Sequence, residues 1–338
     1  MTTSRSKRPK PRSKYELSAS RIGCFATCRR KYFLRYVEKL VPLRSPQVMS
    51  EGSLFHEGAA LLFDLKREVE RAGGAEPDFG FVAQYVQGKA AEHDLDEYSA
   101  TAVVETLFVL LRSEVFSRLH ITHTEKHVRH KVGATHLQGY FDAVGTVDTS
   151  AGPVPVIVEL KRRKQLPERV VQHTAFQYQP ALYALLAREL GIENAGVLYL
   201  NLRACPLTPK KATPEEERKL KKNGEPYAWV VLEDESVADY RLRVRQWYEE
   251  NEAIVTHVDR RTDAQMDETA HTVDVIRRDI VSATQRGAFY RNPNACAVMP
   301  CEYASVCLED TPELREGCFE CAAHKTEKNQ TNQEGASW

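Results

Sequence analysis

Residues 154–161 read VPVIVELK, and this stretch decides the fold. It is a nearly continuous apolar run of the kind found in strands that are buried on both faces of an α/β sheet. Glu159 and Lys161 interrupt the run, and because side chains alternate along a strand they project from the same face as Ile157. A buried carboxylate and ammonium are unfavourable without partners, so the interruption indicates either an internal ion pair or a catalytic site.

A second carboxylate lies on the preceding strand, which is predicted over residues 136–147 and contains the sequence GYFD ending at Asp142. A hairpin-like connection through residues 149–152 would bring Asp142 beside Glu159. Two facing carboxylates repel each other unless a cation lies between them, and Mg²⁺ or Mn²⁺ prefers such oxygen ligands. The ion would activate a water for attack on a phosphate, and Lys161 would orient or help deprotonate that water. The pattern indicates phosphodiester hydrolysis.

The segments around these two strands predict further helices and strands. Helical periodicity begins after Ser18 or Ser20, and further helices are predicted over 50–74, 79–92 and 95–119, before a strand over 123–132. A helix over 172–190, closed by Gly191, and a strand over 195–202 form a strand-helix-strand crossover that places 154–161 and 195–202 in one sheet. Beyond them we predict a helix near 213–222, a strand near 227–233, and helices over 236–260 and 267–286.

The composition restricts the classes of function. The 338 residues include 47 basic and 47 acidic side chains, so the chain lacks the net positive charge with which histone-like proteins bind nucleic acid. Contacts with DNA must therefore be local, at clusters such as residues 161–164 (KRRK). No apolar run is long enough to cross a bilayer, and no phosphate-binding loop indicates an ATP-driven motor. We expect a cytoplasmic protein with no membrane partner.

The order of the motifs resembles that of a known family. Gly139-x-x-Asp142, Glu159-x-Lys161 and Gln179-x-x-x-Tyr183 resemble the motifs of the RecB-like branch of the PD-(D/E)XK nucleases, and residues 52–56 (GSLFH) resemble its GxxxH motif. The resemblance implies an α/β fold with a restriction-endonuclease-like core, in which a mixed central sheet is flanked by helices. It also implies a Mg²⁺ or Mn²⁺ site with catalytic residues Asp142, Glu159, Lys161, Gln179 and Tyr183, and with metal ligands His56, Asp142, Glu159 and the backbone carbonyl of Leu160.

Each motif also has an ordinary structural interpretation. A histidine such as His56 would, on its own, more often be an ordinary partly buried side chain. Only its occurrence together with the other motifs makes it a candidate metal ligand. Gln179 and Tyr183 lie four residues apart on one helix face, which is equally typical of routine packing. Glu125 is the only acidic residue of the predicted first strand that could join the site, and the alternative is a solvated side chain.

The eight cysteines, in a chain without an export signal, favour thiolate ligation over disulfides. Their arrangement resembles the iron-sulfur staple of nucleases similar to the AddB subunit and to CRISPR-associated RecB-like exonucleases, where a structural 4Fe-4S cluster joins the N- and C-terminal regions. By that resemblance the ligands are Cys28, Cys296, Cys301 and Cys307, with Cys24 as a substitute for Cys28. The alternative is tetrahedral zinc held by Cys301, Cys307, Cys318 and Cys321, and Cys205 is best interpreted as unligated.

We therefore expect one nuclease domain over residues 16–307, with a disordered basic tail over 1–15 and a flexible tail over 308–338. Within the domain we expect a helical part over 16–120, a sheet core over 121–235, and a helical, cluster-binding part over 236–307. The resemblance implies a DNA exonuclease that acts on single strands or ends in recombination, repair or phage DNA processing, with a helicase or recombination partner. The alternative is a non-catalytic binding or scaffolding subunit of a helicase-nuclease or CRISPR-type complex.

Overall fold

The computed structural model describes residues 16–43, 47–74, 76–166, 174, 176–193, 195–219, 221–223, 225, 227–228, 230–298 and 301–321. The predicted tail over 1–15 and the predicted tail beyond residue 321 lie outside the described residues, as do the predicted helical positions 172–173 and 175.

The described chain contains a large sheet and a separate pair of strands. The strands of the large sheet are β1 (Glu16–Leu17), β3 (Leu119–Val132), β4 (Thr135–Thr149), β5 (Gly152–Arg163), β6 (Gly196–Arg203) and β7 (Ile254–Asp259), and the separate pair consists of β2 (Leu40–Pro42) and β8 (Phe319–Cys321). The large sheet is mixed, with the order β1, β4, β5, β6, β7 and with β3 also paired to β4. The pairs β3–β4, β4–β5 and β6–β7 are antiparallel, whereas β1–β4 and β5–β6 are parallel. The predicted hairpin and the predicted strand-helix-strand crossover are both confirmed.

Helices surround this sheet. The helices are α1 (Ala19–Thr27), α2 (Arg29–Tyr32), α3 (Gln47–Arg71), α4 (Phe79–Lys89), α5 (Glu97–Arg112), α6 (Glu114–Ser117), α7 (Tyr178–Glu189), α8 (Val237–Glu250), α9 (Asp263–Arg286), α10 (Pro293–Val298), α11 (Ala304–Leu308) and α12 (Pro312–Cys318). A π-helical turn over Phe33–Val37 and 3-10 turns over Ala90–His93 and Glu215–Glu217 complete the described elements. Ser18 caps α1 by accepting a hydrogen bond from the backbone of Arg21, which agrees with the predicted start.

The central strand β5 is buried on both faces, as its apolar run predicts. Val156, Val158 and Leu160 pack in a core with side chains of α3, α4 and α5. Ile157 points the other way, into a core shared with α1, α7 and α9. Glu159 follows Ile157 on this second face, which places its carboxylate beside α7.

The predicted helix over 236–260 is wrong in its last part. The helix α8 ends at Glu250, and Ile254–Asp259 form β7, which pairs with β6 from Leu202↔Ile254 to Val197↔Asp259. The β-branched run of Ile254, Val255 and Thr256 favours this strand. Residues 16–17 and 254–259 therefore join the sheet, which extends beyond the predicted limits of 121–235.

Two further predictions in this region also differ from the structure. The predicted helix near 213–222 is a single 3-10 turn over Glu215–Glu217. The described residues among 227–233 form no strand.

The predicted flexible tail begins too early at residue 308. Thr311 caps α12 by accepting a hydrogen bond from Leu314, and Pro312 suits the first turn of a helix because it has no N–H to leave unpaired. The strand β8 then pairs antiparallel with β2, with Pro42 opposite Phe319. Phe319 is buried against Tyr303, so this end of the described chain is packed onto residues near its beginning.

Candidate active site

Asp142 lies where the ladder between β4 and β5 ends. The last backbone pair is Ala143↔Val158, and beyond it the Asp142 side chain takes the place of a strand partner. Its Oδ2 accepts a hydrogen bond from the Leu160 backbone N–H at 2.7 Å, and its Oδ1 lies 3.1 Å from His56 Nδ1. This one carboxylate therefore connects β4, β5 and α3, and it brings the predicted residues His56, Asp142 and Leu160 together.

Glu159 is a buried carboxylate with two donors. It is only 4% exposed, and its Oε1 accepts hydrogen bonds from Lys161 Nζ and from Gln179 Nε2, the latter at 2.8 Å. Burial raises the pKa of Glu159, Lys161 lowers it, and the nearby Asp142 carboxylate raises it again, with a net upward shift. A cation beside Asp142 and Glu159 would relieve the repulsion between them.

Gln179 and Tyr183 form a chain of hydrogen bonds on the face of α7 that covers the site. Gln179 Nε2 also lies 3.0 Å from the Tyr183 hydroxyl, and that hydroxyl donates to the Tyr140 carbonyl at 2.6 Å. Burial raises the pKa of Tyr183, which keeps the hydroxyl protonated and able to donate. The two side chains therefore fix Glu159 relative to the strand that carries Asp142.

Gly139 explains why α7 can approach β4 so closely. A Cβ at this position would lie 2.9 Å from Leu186 and 3.2 Å from the ring of Tyr183. A larger residue would displace the end of the Leu186 side chain and crowd the ring of Tyr183, whose hydroxyl contacts Gln179. The glycine of the Gly139-x-x-Asp142 motif thus has a packing reason in this fold.

Glu125 lies on β3 with a backbone φ of +45°, a region that disfavours side chains with a Cβ. Burial raises the pKa of Glu125, and the Asp142 carboxylate raises it further, whereas His56 lowers it. Glu125 thus faces the same group of side chains as Asp142, although it is more exposed. Its strained backbone is typical of a residue held in place for function.

The predicted metal ligands lie close to one another, but their side chains are hydrogen-bonded to neighbouring side chains. Among the residues that the structure describes, no three His, Cys, Asp or Glu side chains are preformed as a set that could hold a metal ion. His56 is bonded to Asp142, and Glu159 is bonded to Lys161 and Gln179. The donor types, two or three carboxylates and an imidazole, nevertheless suit Mg²⁺ or Mn²⁺, provided that a cation replaces the contact between His56 and Asp142 and that Lys161 turns away from Glu159.

The basic run over 161–164 is not the open patch that its sequence suggests. The Arg162 side chain is 4% exposed and bonds Glu51 of α3 at 2.5 Å, while Arg163 bonds Asn201 of β6 at 3.2 Å. Arg162 therefore fastens α3, which carries His56, to the strand that carries Glu159. The alternation of β5 gives Arg162 the same face as the buried Leu160, but the run of four basic residues obscures this alternation in the sequence.

A protein-family match agrees with this geometry. The family model of the PD-(D/E)XK nuclease superfamily matches residues 16–308, which include all the acidic residues described above. The chain belongs to the PD-(D/E)XK nuclease superfamily. Among solved structures it is similar to a protein of Eubacterium rectale described as a putative exonuclease, with 11% identity, a TM-score of 0.47, and coverage of 88% of this chain and 89% of that one. No curated protein matches the chain, and the assignment rests on the family match.

Four cysteines of this PD-(D/E)XK chain line one pocket of about 440 Å³, and they are Cys28, Cys296, Cys301 and Cys307. Cys28 reaches the pocket because the chain becomes extended between α1 and α2, with φ −156° and ψ 113° at this residue. Cys24 is not among the lining residues, and burial raises the pKa of its thiol to about 11. Cys318 is exposed and lies outside the lining, and the Cys321 side chain is outside the described residues.

None of the helices in the described ranges is long and apolar enough to span a bilayer.

Proposed function

We propose that this PD-(D/E)XK protein is a Mg²⁺- or Mn²⁺-dependent deoxyribonuclease. The observation that carries the proposal is the buried Glu159 carboxylate, held between Lys161 and Gln179, on the strand whose Leu160 N–H is bonded to Asp142. A purely structural ion pair would not need a second carboxylate and a histidine beside it.

The residues of the site would have distinct roles in the proposed reaction. Asp142, Glu159, His56 and the Leu160 carbonyl would hold the cation, which supplies positive charge against the reacting phosphate. Lys161, whose side chain is 30% exposed, would turn from Glu159 toward the attacking water and orient it or remove its proton. Gln179 and Tyr183 are positioning residues, because they bond Glu159 and the Tyr140 carbonyl.

We propose further that the enzyme is an exonuclease of the RecB-like branch. It would act on single strands or ends in the cytoplasm, in recombination, repair or phage DNA processing, where a helicase or recombination partner would deliver the substrate. The support is the set of motifs ending at Asp142, Lys161 and Tyr183.

The test is digestion of end-labelled linear and circular DNA, single- and double-stranded, by wild type and Lys161→Ala with Mn²⁺, Mg²⁺ or EDTA. We expect metal-dependent loss of linear strands, slowed by roughly 10²- to 10⁴-fold in the variant. Cutting of circular strands would remove the exonuclease assignment. No cutting at all by wild-type protein would instead favour the non-catalytic subunit.

We also propose that Cys28, Cys296, Cys301 and Cys307 hold a structural 4Fe-4S cluster. The support is their convergence on one pocket that also contains Lys31 and Arg291, whose positive charges suit an anionic cluster. Anaerobically purified wild type and Cys24→Ser should contain iron and absorb visible light, whereas Cys28→Ser should lose both. If the protein instead contained zinc, and Cys318→Ser lost that zinc, the alternative zinc site of Cys301, Cys307, Cys318 and Cys321 would be established.

A further inference from the structure

The outer part of the β3–β4 hairpin has one buried face and one exposed face. Val128, Leu137 and Phe141 are buried, and the Phe141 ring lies 4.8 Å from Tyr183 of α7. The residues that alternate with them therefore point away from α7. This exposed face begins at Tyr140, two residues from Asp142, and continues to the end of the hairpin.

The side chains on this exposed face form three cross-strand pairs. The backbone register places His127 opposite Tyr140, Arg129 opposite Gln138, and Lys131 opposite His136. We name this set the hairpin ladder. Its members are cationic, aromatic or amide side chains, and Arg129 is paired with Glu16 of β1 while keeping 42% of its side chain exposed. The ladder has a composition suited to nucleic acid rather than to a protein core.

Tyr140 and His127 form the step of the ladder that is closest to Asp142 along the strand. Their rings are stacked, with centroids 4.4 Å apart and planes at 15°, and Tyr140 remains 59% exposed. A large exposed aromatic ring costs free energy in water, which a stacked base would recover. The carbonyl of the same residue is fixed by the Tyr183 hydroxyl at 2.6 Å, so the ring is mounted on a rigid backbone.

We propose that the hairpin ladder is the docking path of the single-stranded DNA substrate, and that a base stacks on Tyr140 next to the scissile phosphate. Arg129 and Lys131 contact phosphates further along the strand, which supplies locally the attraction that a chain with no net charge lacks overall. Base stacking on an aromatic side chain tolerates any sequence, as a non-specific nuclease requires. This inference rests on the proposed nuclease function, because it names the substrate path to that same site.

The test measures binding without cutting, in a Glu159→Gln background with EDTA. The probes are a fluorescently labelled short single strand and the same strand made abasic. Tyr140→Ala should weaken binding of the normal strand by about tenfold, Tyr140→Phe should retain it, and the abasic strand should bind Tyr140→Ala and its parent alike. The matched control is Tyr290→Ala, because Tyr290 is exposed to a similar extent (61%) on a different segment and should leave binding unchanged.

The contributions of charge and of base stacking to DNA binding can be distinguished by measuring binding at several salt concentrations. Lys131→Ala should lower the slope of the logarithm of the binding constant against the logarithm of salt concentration by about 0.7, whereas Tyr140→Ala should leave the slope unchanged. Equal binding by Tyr140→Ala and its parent would overturn the proposal, and so would an equal loss on abasic DNA. Because binding is read separately from cleavage, an inactive wild type would contradict the nuclease function alone.

Discussion

At the scale of single residues, the candidate site contains two departures from regular strand geometry. Asp142 accepts the Leu160 N–H beyond the last rung of the β4–β5 ladder, and Glu125 adopts a strained φ of +45° on the neighbouring strand. The two residues lie opposite each other, between the backbone pairs Thr124↔Ala143 and Lys126↔Phe141. A positive φ is unfavourable for a residue with a Cβ, so the backbone conformation at Glu125 lowers the stability of the fold.

The strain at Glu125 gives a prediction about stability and activity. Glu125→Gly should raise the free energy of unfolding by about 1 kcal/mol, because glycine accepts a positive φ, and it should lower metal-dependent cleavage because a carboxylate is lost. Urea unfolding and a cleavage assay measure the two effects. Lys39→Gly is the matched control, since Lys39 has a φ of +59° away from the acidic residues and should gain stability with no change in cleavage. A Glu125→Gly variant that is less stable than wild type would contradict the account.

The sequence predicted which residues of the candidate site lie close together, but it did not predict all of the hydrogen bonds between them. Glu159 and Lys161 are visible because they interrupt an apolar strand, and Asp142 because a hairpin must bring it alongside. The bond from the Leu160 N–H to Asp142 was not predictable, because it depends on where the ladder ends. The burial of Arg162 against Glu51 was missed for a related reason, since a run of four basic residues hides the alternation of the strand.

At the scale of elements, β7 lies within a segment that the sequence predicted as the last part of the helix over 236–260. Its place is set by tertiary pairing with β6, which propensity alone does not encode. One result is a stacked pair between the two strands, formed by Tyr199 and His257, whose ring centroids are 4.9 Å apart at an interplanar angle of 4°. Within the described chain, neither His257 ring nitrogen has a hydrogen-bond partner.

This stacked pair predicts a loss of stability in acid. Burial lowers the pKa of His257 below its ordinary value of 6.5; Asp259 opposes the shift, and Arg163 adds to it. The unfolded chain therefore takes up a proton first, and stability is lost as the pH falls below about 6.5. His257→Phe keeps the stacking and removes the proton site, so its stability relative to wild type should be greater at pH 5 than at pH 7.5, as judged by urea unfolding.

The control for this prediction is Tyr199→Phe, which alters the same stack without a group that titrates in this range, because burial raises the pKa of Tyr199. Its effect on stability should be the same at both pH values. An equal effect of His257→Phe at the two pH values would show that His257 does not carry the acid sensitivity.

At the scale of the whole molecule, direct protein contacts join the two ends of the described chain. The β2–β8 pair, the ion pair between Lys31 and Glu302 at 2.8 Å, and the bond from the Tyr303 hydroxyl to the Leu40 carbonyl at 2.9 Å all connect them. The resemblance predicted such a junction only through a cluster. Of these three contacts, the β2–β8 pair comes from residues after 308, whose polar composition did not reveal it. The other two come from Glu302 and Tyr303, which precede that segment.

The buried bond between Tyr303 and Leu40 predicts how firmly the ends are joined. Tyr303→Phe keeps the stacking on Phe319 but leaves the buried Leu40 carbonyl without this donor, which should lower the free energy of unfolding by about 1–3 kcal/mol. Urea unfolding measures the loss, and limited proteolysis should release the C-terminal segment earlier. Tyr290→Phe, at an exposed tyrosine, should change neither result. A Tyr303→Phe variant as stable as wild type would contradict the role of this bond.

The central claim is that Asp142 and Glu159 form a hydrolytic centre. The most direct measurement is the rate of single-strand cleavage with Mn²⁺ by Glu159→Gln, beside wild type and Asp148→Asn, which changes an exposed carboxylate on the same strand as Asp142. The account predicts a loss of at least about a hundredfold for Glu159→Gln, with its thermal unfolding still cooperative, and a wild-type rate for Asp148→Asn. Cleavage by Glu159→Gln at the wild-type rate would contradict it.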